Sequence, residues 1–189
     1  SYSSINVGAA DLGAGRLGAD GRELCDYDSP PRHIGSPPGE NGGVMRRLEG
    51  TFQHGDVIVH NHPELGATHL PDIGITVPIF WEGELLGFAA ATAQVLDVGG
   101  AYPGLNVDAY DVYAEAKLYN GLLWYQAGKL NEELDRMIID NTRTETMNRG
   151  DLNAMMAACT VGRDRFLKLV GRYGVDTVMS AAYDWMDYS

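Results

Sequence analysis

Ile73-Gly74-Ile75-Thr76-Val77-Pro78-Ile79-Phe80, Trp81-Glu82-Gly83-Glu84 and Leu85-Leu86-Gly87-Phe88-Ala89-Ala90-Ala91-Thr92-Ala93-Gln94-Val95-Leu96 form one unbroken stretch of this 189-residue chain. The first and last runs are rich in β-branched and apolar residues, and the four between them hold a glycine inside an acidic pair. That order predicts two antiparallel strands joined by a tight turn. Outward from this hairpin, Val57-Ile58-Val59 reads as a shorter strand, and Gly99-Gly100 is expected to end the sheet. Upstream, Ala19-Asp20-Gly21-Arg22 is a turn signal between Leu17 and Leu24, which predicts a second hairpin. The run Ser29-Pro30-Pro31-Arg32-His33-Ile34-Gly35-Ser36-Pro37-Pro38 carries four prolines, so it is expected to be extended rather than helical.

From about Asp108 the pattern changes. Ala109, Val112, Ala116, Tyr119 and Leu123 recur at helical spacing, Gly128 reads as a break, and Leu130, Leu134, Met137 and Ile138 continue the spacing on a second helix. A third apolar stripe runs through Leu152, Met155, Cys159, Phe166, Leu169 and Tyr173, with Asp151 as the expected N-cap and Gly174 as the stop. Its apolar face suits either a core or an interface. A short helix over Thr177–Met186 closes the chain. The fold class is therefore α+β: residues 1–105 form a Gly/Pro-rich, β-rich region that bears the site, and residues 106–189 form a helical region. Together they are expected to make one structural unit of a larger enzyme complex.

Charge narrows the function classes. The chain has 14 basic and 26 acidic residues, for a net charge of −12. It has no clustered Lys and Arg with which to displace phosphate counterions, and an anionic membrane would repel it. No run approaches the ~18 apolar residues of a membrane span. Cys25 and Cys159 have neither zinc nor CxxC spacing and read as separate thiols of a reducing compartment. The expectation is a cytoplasmic, soluble protein without a nucleic-acid or membrane partner. Ser1 opens the chain inside what reads as mid-domain sequence, which implies processing or a piece of something larger.

All five histidines fall between positions 33 and 69. His69 and Asp72 stand three apart, an imidazole and a carboxylate suited to Mn²⁺ or Zn²⁺; equally, His69 caps a turn and Asp72 binds backbone amides. Pro71 keeps a regular helix from running through them. His60 and His62 have strand spacing, so both could share one face. Asp97-Val98-Gly99-Gly100-Ala101-Tyr102-Pro103-Gly104 is a loop whose backbone amides could meet an anion, or simply a strand-ending turn. It lacks the lysine of a GxxxxGK[ST] phosphate loop, and the chain has no GxSxG or HExxH. Gly13-Ala14-Gly15-Arg16-Leu17-Gly18 matches GxGxxG only in letters, because a turn signal follows it instead of a helix.

Asn61-His62-Pro63, Gly66, Thr68-His69-Leu70-Pro71-Asp72, Val77-Pro78-Ile79-Phe80, Gly83-Glu84-Leu85, Gly87-Phe88 and Asp97-Val98-Gly99-Gly100 follow one another in an order that resembles the hydantoinase B/oxoprolinase family. Asp20-Gly21-Arg22 and His33-Ile34-Gly35-Ser36 fit it upstream. Leu130-Asn131-Glu132-Glu133-Leu134, Asn141-x-Arg143-Thr144 and Gly150-Asp151-Leu152 fit it downstream. The resemblance implies a component of an ATP-dependent multi-subunit carboxylase acting on a ketone-like substrate, of the acetone or acetophenone carboxylase type. In such a complex ATP and Mg²⁺ are held by a hydantoinase A-like ATPase subunit, which activates the substrate, and the present chain hosts the following step. Residues 113–120 depart from the hydantoinase branch, which points towards carboxylation. The alternatives are a B-type subunit of a cyclic-amide hydrolase (hydantoinase or 5-oxoprolinase) and a non-catalytic structural subunit docking the ATPase.

Residue by residue, the resemblance implies a divalent Mn or Zn ion on His69 and Asp72, with Gln94 where such carboxylases place a later histidine. His62 replaces the acid of the family's Asn-Asp-Pro. His33 and His62 are the expected general bases, and Asn61, Asp97, Gly99 and Gly100 the expected substrate-binding residues.

Overall fold

The computed structural model describes residues 12–26, 36–65 and 67–188. Its centre is the expected hairpin: β4 (Asp72–Trp81) and β5 (Glu84–Gln94) are joined by Glu82 and Gly83 alone. Both have positive φ, 51° and 90°, the backbone of a two-residue turn whose twist matches that of the strands. Before them come β1 (Leu12–Gly18), β2 (Glu23–Asp26), α1 (Ser36–Arg47) and β3 (Val57–His60). After them come a single turn, α2 (Val112–Glu115), the strands β6 (Leu122–Gln126) and β7 (Lys129–Leu130), and three helices. The helices are α3 (Glu132–Ile139), α4 (Glu145–Tyr173) and α5 (Val175–Tyr188). All seven strands lie in one antiparallel sheet of order β2-β1-β5-β4-β3-β6-β7. The α+β class is as expected, as are the β1–β2 hairpin, α3 and the stop at Gly174.

The run from Asp72 to Ile79 is buried throughout, without alternation. A central strand covered on both faces buries every position: Ile73, Ile75, Val77 and Ile79 join the main core, while Gly74 and Thr76 of the opposite face meet the buried His60 ring. On one face lies α4, whose Leu152, Met155, Cys159, Phe166 and Val170 join Ile75, Val77, Ala89 and Ala91 in the main core. The alanines of β5 are what let a 29-residue helix lie close to the strands. Cys159 Sγ donates to the carbonyl of Ile75 at 3.7 Å, and burial pushes its thiol up to about 12. The α4 stripe is therefore core from Leu152 to Phe166, whereas its last two members, Leu169 and Tyr173, are exposed.

Four local expectations are corrected. Ser36, Pro37 and Pro38 open α1 instead of extending the chain; proline is tolerated in a first turn, where backbone donors have no intrahelical acceptor. The helical spacing from Ala109 to Leu123 yields only the single turn of α2, and Leu122–Gln126 is a strand paired with β3. Gly128 is the second residue of the β6–β7 turn, where Ala127 and Gly128 have φ of 48° and 81°. The sheet thus extends past Gly99-Gly100, through two strands from the stretch expected to be helical. Finally, α4 begins six residues before Asp151, which is buried in mid-helix. Among the described residues no helix is long and apolar enough to cross a membrane.

Candidate functional site

The segment between β3 and β4 brings His69 back onto the first residue of β4. Asp72 is fully buried, and its Oδ1 stands 2.9 Å from His69 Nε2, while the His69 side chain is 23 % exposed. The Thr68 hydroxyl donates to the other carboxylate oxygen, Oδ2. The turn is closed by the Asp72 amide donating to the His69 carbonyl at 3.1 Å. The result is a carboxylate sealed from water, with an imidazole as its solvent-facing partner. Across the hairpin, Gln94 is the register partner of Asp72, so the two side chains rise from the same face. The three residues expected to share a site are therefore neighbours.

As a closed metal centre the corner fits poorly. Its strong donors are one imidazole and one carboxylate, already paired with each other, and the third position is a neutral amide. Among the described residues no group of three or more His, Cys, Asp or Glu converges to hold an ion.

Asn61 secures this corner from below. Its Nδ2 donates to the carbonyls of Leu70 (2.9 Å) and Lys117 (2.8 Å), and its Oδ1 accepts from the Tyr119 amide at 2.6 Å. Both amide donors and the carbonyl are thereby committed to backbone, and the side chain is fully buried. Asn61 thus ties the His69 loop to the chain after α2. His62 lies on the same loop, half-buried, where its Nδ1 accepts from the Glu64 amide and its carbonyl accepts from Ala67. His60 is not its companion: the ring is buried in the sheet, 3.3 Å from the Thr76 hydroxyl, and burial pushes its pKa down to about 4. His33 lies outside the described residues.

The Asp97-Val98-Gly99-Gly100 loop forms a second, adjoining knot. The Val95 amide donates to the Pro71 carbonyl, which carries the chain from the His69–Asp72 corner to Asp97. The buried Asp97 carboxylate accepts from the amides of Gly99 and Arg143 and, at 3.0 Å, from Arg143 Nη1. Arg143 Nη2 donates to the carbonyls of Gly100 (3.0 Å) and Ala101 (3.4 Å), and Asn148 of α4 donates to the Asp97 carbonyl. A Cβ on Gly100 would sit 2.0 Å from the carbonyl oxygen of Glu115, and one on Gly99 2.6 Å from that of Asn141. These glycines are demanded by close backbone approach, and the Gly99 amide is spent on Asp97. Thr68 and Arg143 are the participants that residue-by-residue reading passed over. The only sequence signal for Arg143 was its place in Asn141-x-Arg143-Thr144.

This sheet, helix and loop arrangement is found within solved ATP-dependent enzymes. The crystal structure of ATP-dependent caprolactamase from Pseudomonas jessenii superposes with a TM-score of 0.87 at 28 % identity, over 92 % of this chain and 30 % of that one. A nucleotide-free acetone carboxylase structure gives 0.85 at 22 % identity, over 97 % and 24 %, a likeness of fold. In sequence, a protein of Pseudomonas sp. strain NS671, provisionally named as the B-type subunit of a D-/L-hydantoinase, is 38 % identical over all of this chain and 33 % of its own length. The beta subunit of the P. jessenii caprolactamase is 34 % identical over 83 % of this chain and 27 % of its own. The profile of the family described as Hydantoinase B/oxoprolinase matches residues 1–189. The chain belongs to the hydantoinase B/oxoprolinase family, and spans about a third of the length of these relatives.

Proposed function

We propose that this chain is part of the B-type subunit of an ATP-dependent cyclic-amide hydrolase, acting after a hydantoinase A-like ATPase subunit has activated the ring. The observation that carries the reading is the sealed Asp72 carboxylate 2.9 Å from the solvent-facing His69. A buried carboxylate fixes the tautomer and orientation of its imidazole. With Nε2 held by Asp72, Nδ1 is the nitrogen that exchanges protons with the reacting groups. On a ring amide activated as its phosphorylated imidate, His69 takes the proton from attacking water. The imidazolium passes that proton to the imidate nitrogen, and His69 then carries the hydroxyl proton of the tetrahedral adduct to the same nitrogen as it departs. The acyl phosphate left behind is hydrolysed by a second water to carboxylate and inorganic phosphate. His62, on the same loop, is the second proton carrier of the site.

Hydrolysis is favoured over carboxylation of a ketone because two relatives more than 30 % identical bear the names of a hydantoinase subunit and a caprolactamase subunit. Likeness to the carboxylase is one of fold. A divalent Mn or Zn ion would need a further ligand beside His69, Asp72 and Gln94, and no step above passes through one.

The test is the complex purified from its source, assayed for ATP hydrolysis and for ring opening on cyclic amides, with ketone plus bicarbonate as the comparison. His69→Ala is expected to lower ring opening by at least about a hundredfold while leaving ATP hydrolysis in place. Full ring opening in that variant overturns the assignment, and ketone-dependent carboxylation in the native complex overturns the reaction.

A further inference from the structure

From the Gly99-Gly100 knot into the first turn of α2, five large apolar side chains stand in solvent within twelve residues: Tyr102, Leu105, Val107, Tyr110 and Tyr113, each between 53 % and 90 % exposed. Single exposed apolar residues are ordinary. Five within twelve residues is a concentration of exposed apolar side chains of the sort that marks an interaction site.

The loop is held rather than loose. The Ala101 amide donates to the Ala114 carbonyl at 2.9 Å, closing its neck. Arg143 grips the carbonyls of Gly100 and Ala101. Asn106 Oδ1 accepts from Asp108, and Asp111 Oδ1 accepts from Ala114 at 2.7 Å to cap α2. The backbone that carries the aromatic side chains is therefore tied at its neck and at two internal turns, which lowers the entropy lost on docking. Tyrosine is also among the side chains most enriched as binding anchors.

We infer that loop 101–113 is the element by which this chain docks the ATPase-type subunit, through an apolar pocket on that subunit rimmed by Lys and Arg. The charge of the loop selects this occupant. Residues 101–115 include Asp108, Asp111 and Glu115 and no basic residue, so a basic rim complements them. A second copy of this chain, at net charge −12, is disfavoured by like charge. Position adds a functional reason: the loop hangs from Asp97 and Gly100, which join the His69–Asp72 corner through Val95 and Pro71. A partner seated there delivers its activated product beside the dyad.

The inference rests on the proposed function, and the experiment separates the two. The polypeptide as it occurs in its source is co-purified with its ATPase-type partner, as native protein, as Tyr102→Ser/Leu105→Ser/Tyr110→Ser/Tyr113→Ser, and as His69→Ala. Assembly is followed by native mass spectrometry and sedimentation. A photo-reactive residue replacing Tyr110 maps the contact. The expected result is assembly of the native and His69→Ala proteins, at least about a hundredfold weaker assembly of the serine variant with unchanged circular dichroism, and cross-links to the ATPase-type subunit. Binding of the native protein should also weaken between about 50 mM and about 500 mM salt. Undiminished assembly of the serine variant, or cross-links to the same polypeptide or another copy, overturns the docking role alone. Failure of the native protein to assemble overturns the subunit reading and the docking role with it.

Discussion

Gln94 stands opposite Asp72 across the β4–β5 hairpin, in register with a carboxylate that is fully buried and paired with His69. Opposed residues of an antiparallel pair have Cβ atoms about 4.5–5.5 Å apart, so an imidazole at position 94 is within reach of the dyad. Gln94→His is expected to convert an imidazole–carboxylate pair into a three-donor set. Zn²⁺ binding, measured by titration calorimetry, should tighten by at least about tenfold over the native protein. An unchanged affinity would mean that His69 and Asp72 hold each other too firmly to turn towards an ion.

Asn61 gives a second prediction, on stability. Asn61→Asp replaces two N–H donors with an acceptor facing the carbonyls of Leu70 and Lys117. Burying that mismatch is expected to cost about 3–5 kcal/mol, read as a lower urea midpoint at constant m-value. Asn61→Ala, which removes the bonds without adding repulsion, should cost less. Equal losses would show that the site relaxes around the carboxylate.

The features that sequence made legible are those written within a few residues. The central hairpin announced itself because strand, turn and strand are contiguous and the turn needs only Glu82-Gly83. His69 and Asp72 were visible as a pair because one turn of backbone separates them. The β6–β7 hairpin was hidden: Leu122–Gln126 follows a stretch whose apolar residues mimic helical spacing, and its turn uses Ala127 at positive φ, which alanine does not advertise. The Asn61 and Asp97 locks were illegible for another reason. Their partners Tyr119 and Arg143 lie 58 and 46 residues away, and only the folded chain shows that these polar residues are fastened to backbone.

A third prediction concerns Gly74. In register with His60 across β3 and β4, it leaves the space that the buried ring fills, and a Cβ there would lie 2.2 Å from the ring Cε1. Gly74→Ala is expected to destabilise by about 2–3 kcal/mol through overpacking. His60→Ala opens the space the new methyl needs, so the double variant should lose at least about 1 kcal/mol less than the two single losses added together. Strict additivity in denaturant melts would place the strain of Gly74→Ala elsewhere.

The same ring sets a pH dependence. Burial holds His60 neutral in the folded protein down to about pH 4, against 6.5 for an unburied histidine. Between those values the unfolded chain binds a proton that the folded chain refuses, so acid favours unfolding. The stabilisation is fully present above about pH 6.5 and is lost as the pH falls towards 4, at about 1.4 kcal/mol per pH unit and about 3 kcal/mol in all. Asp135 acts at the acid end of this range and below. Its carboxyl is held under the usual range chiefly by the hydrogen bond from Arg149, so its contribution fades below the ordinary carboxylate value of 3.8. His60→Leu removes the titrating group and keeps an apolar side chain in the sheet. Urea midpoints of the native protein should therefore fall steadily from pH 7 to pH 4 while those of His60→Leu stay nearly level. Parallel slopes for the two proteins would mean that another group carries the acid sensitivity and that the imidazole is not buried as a neutral ring.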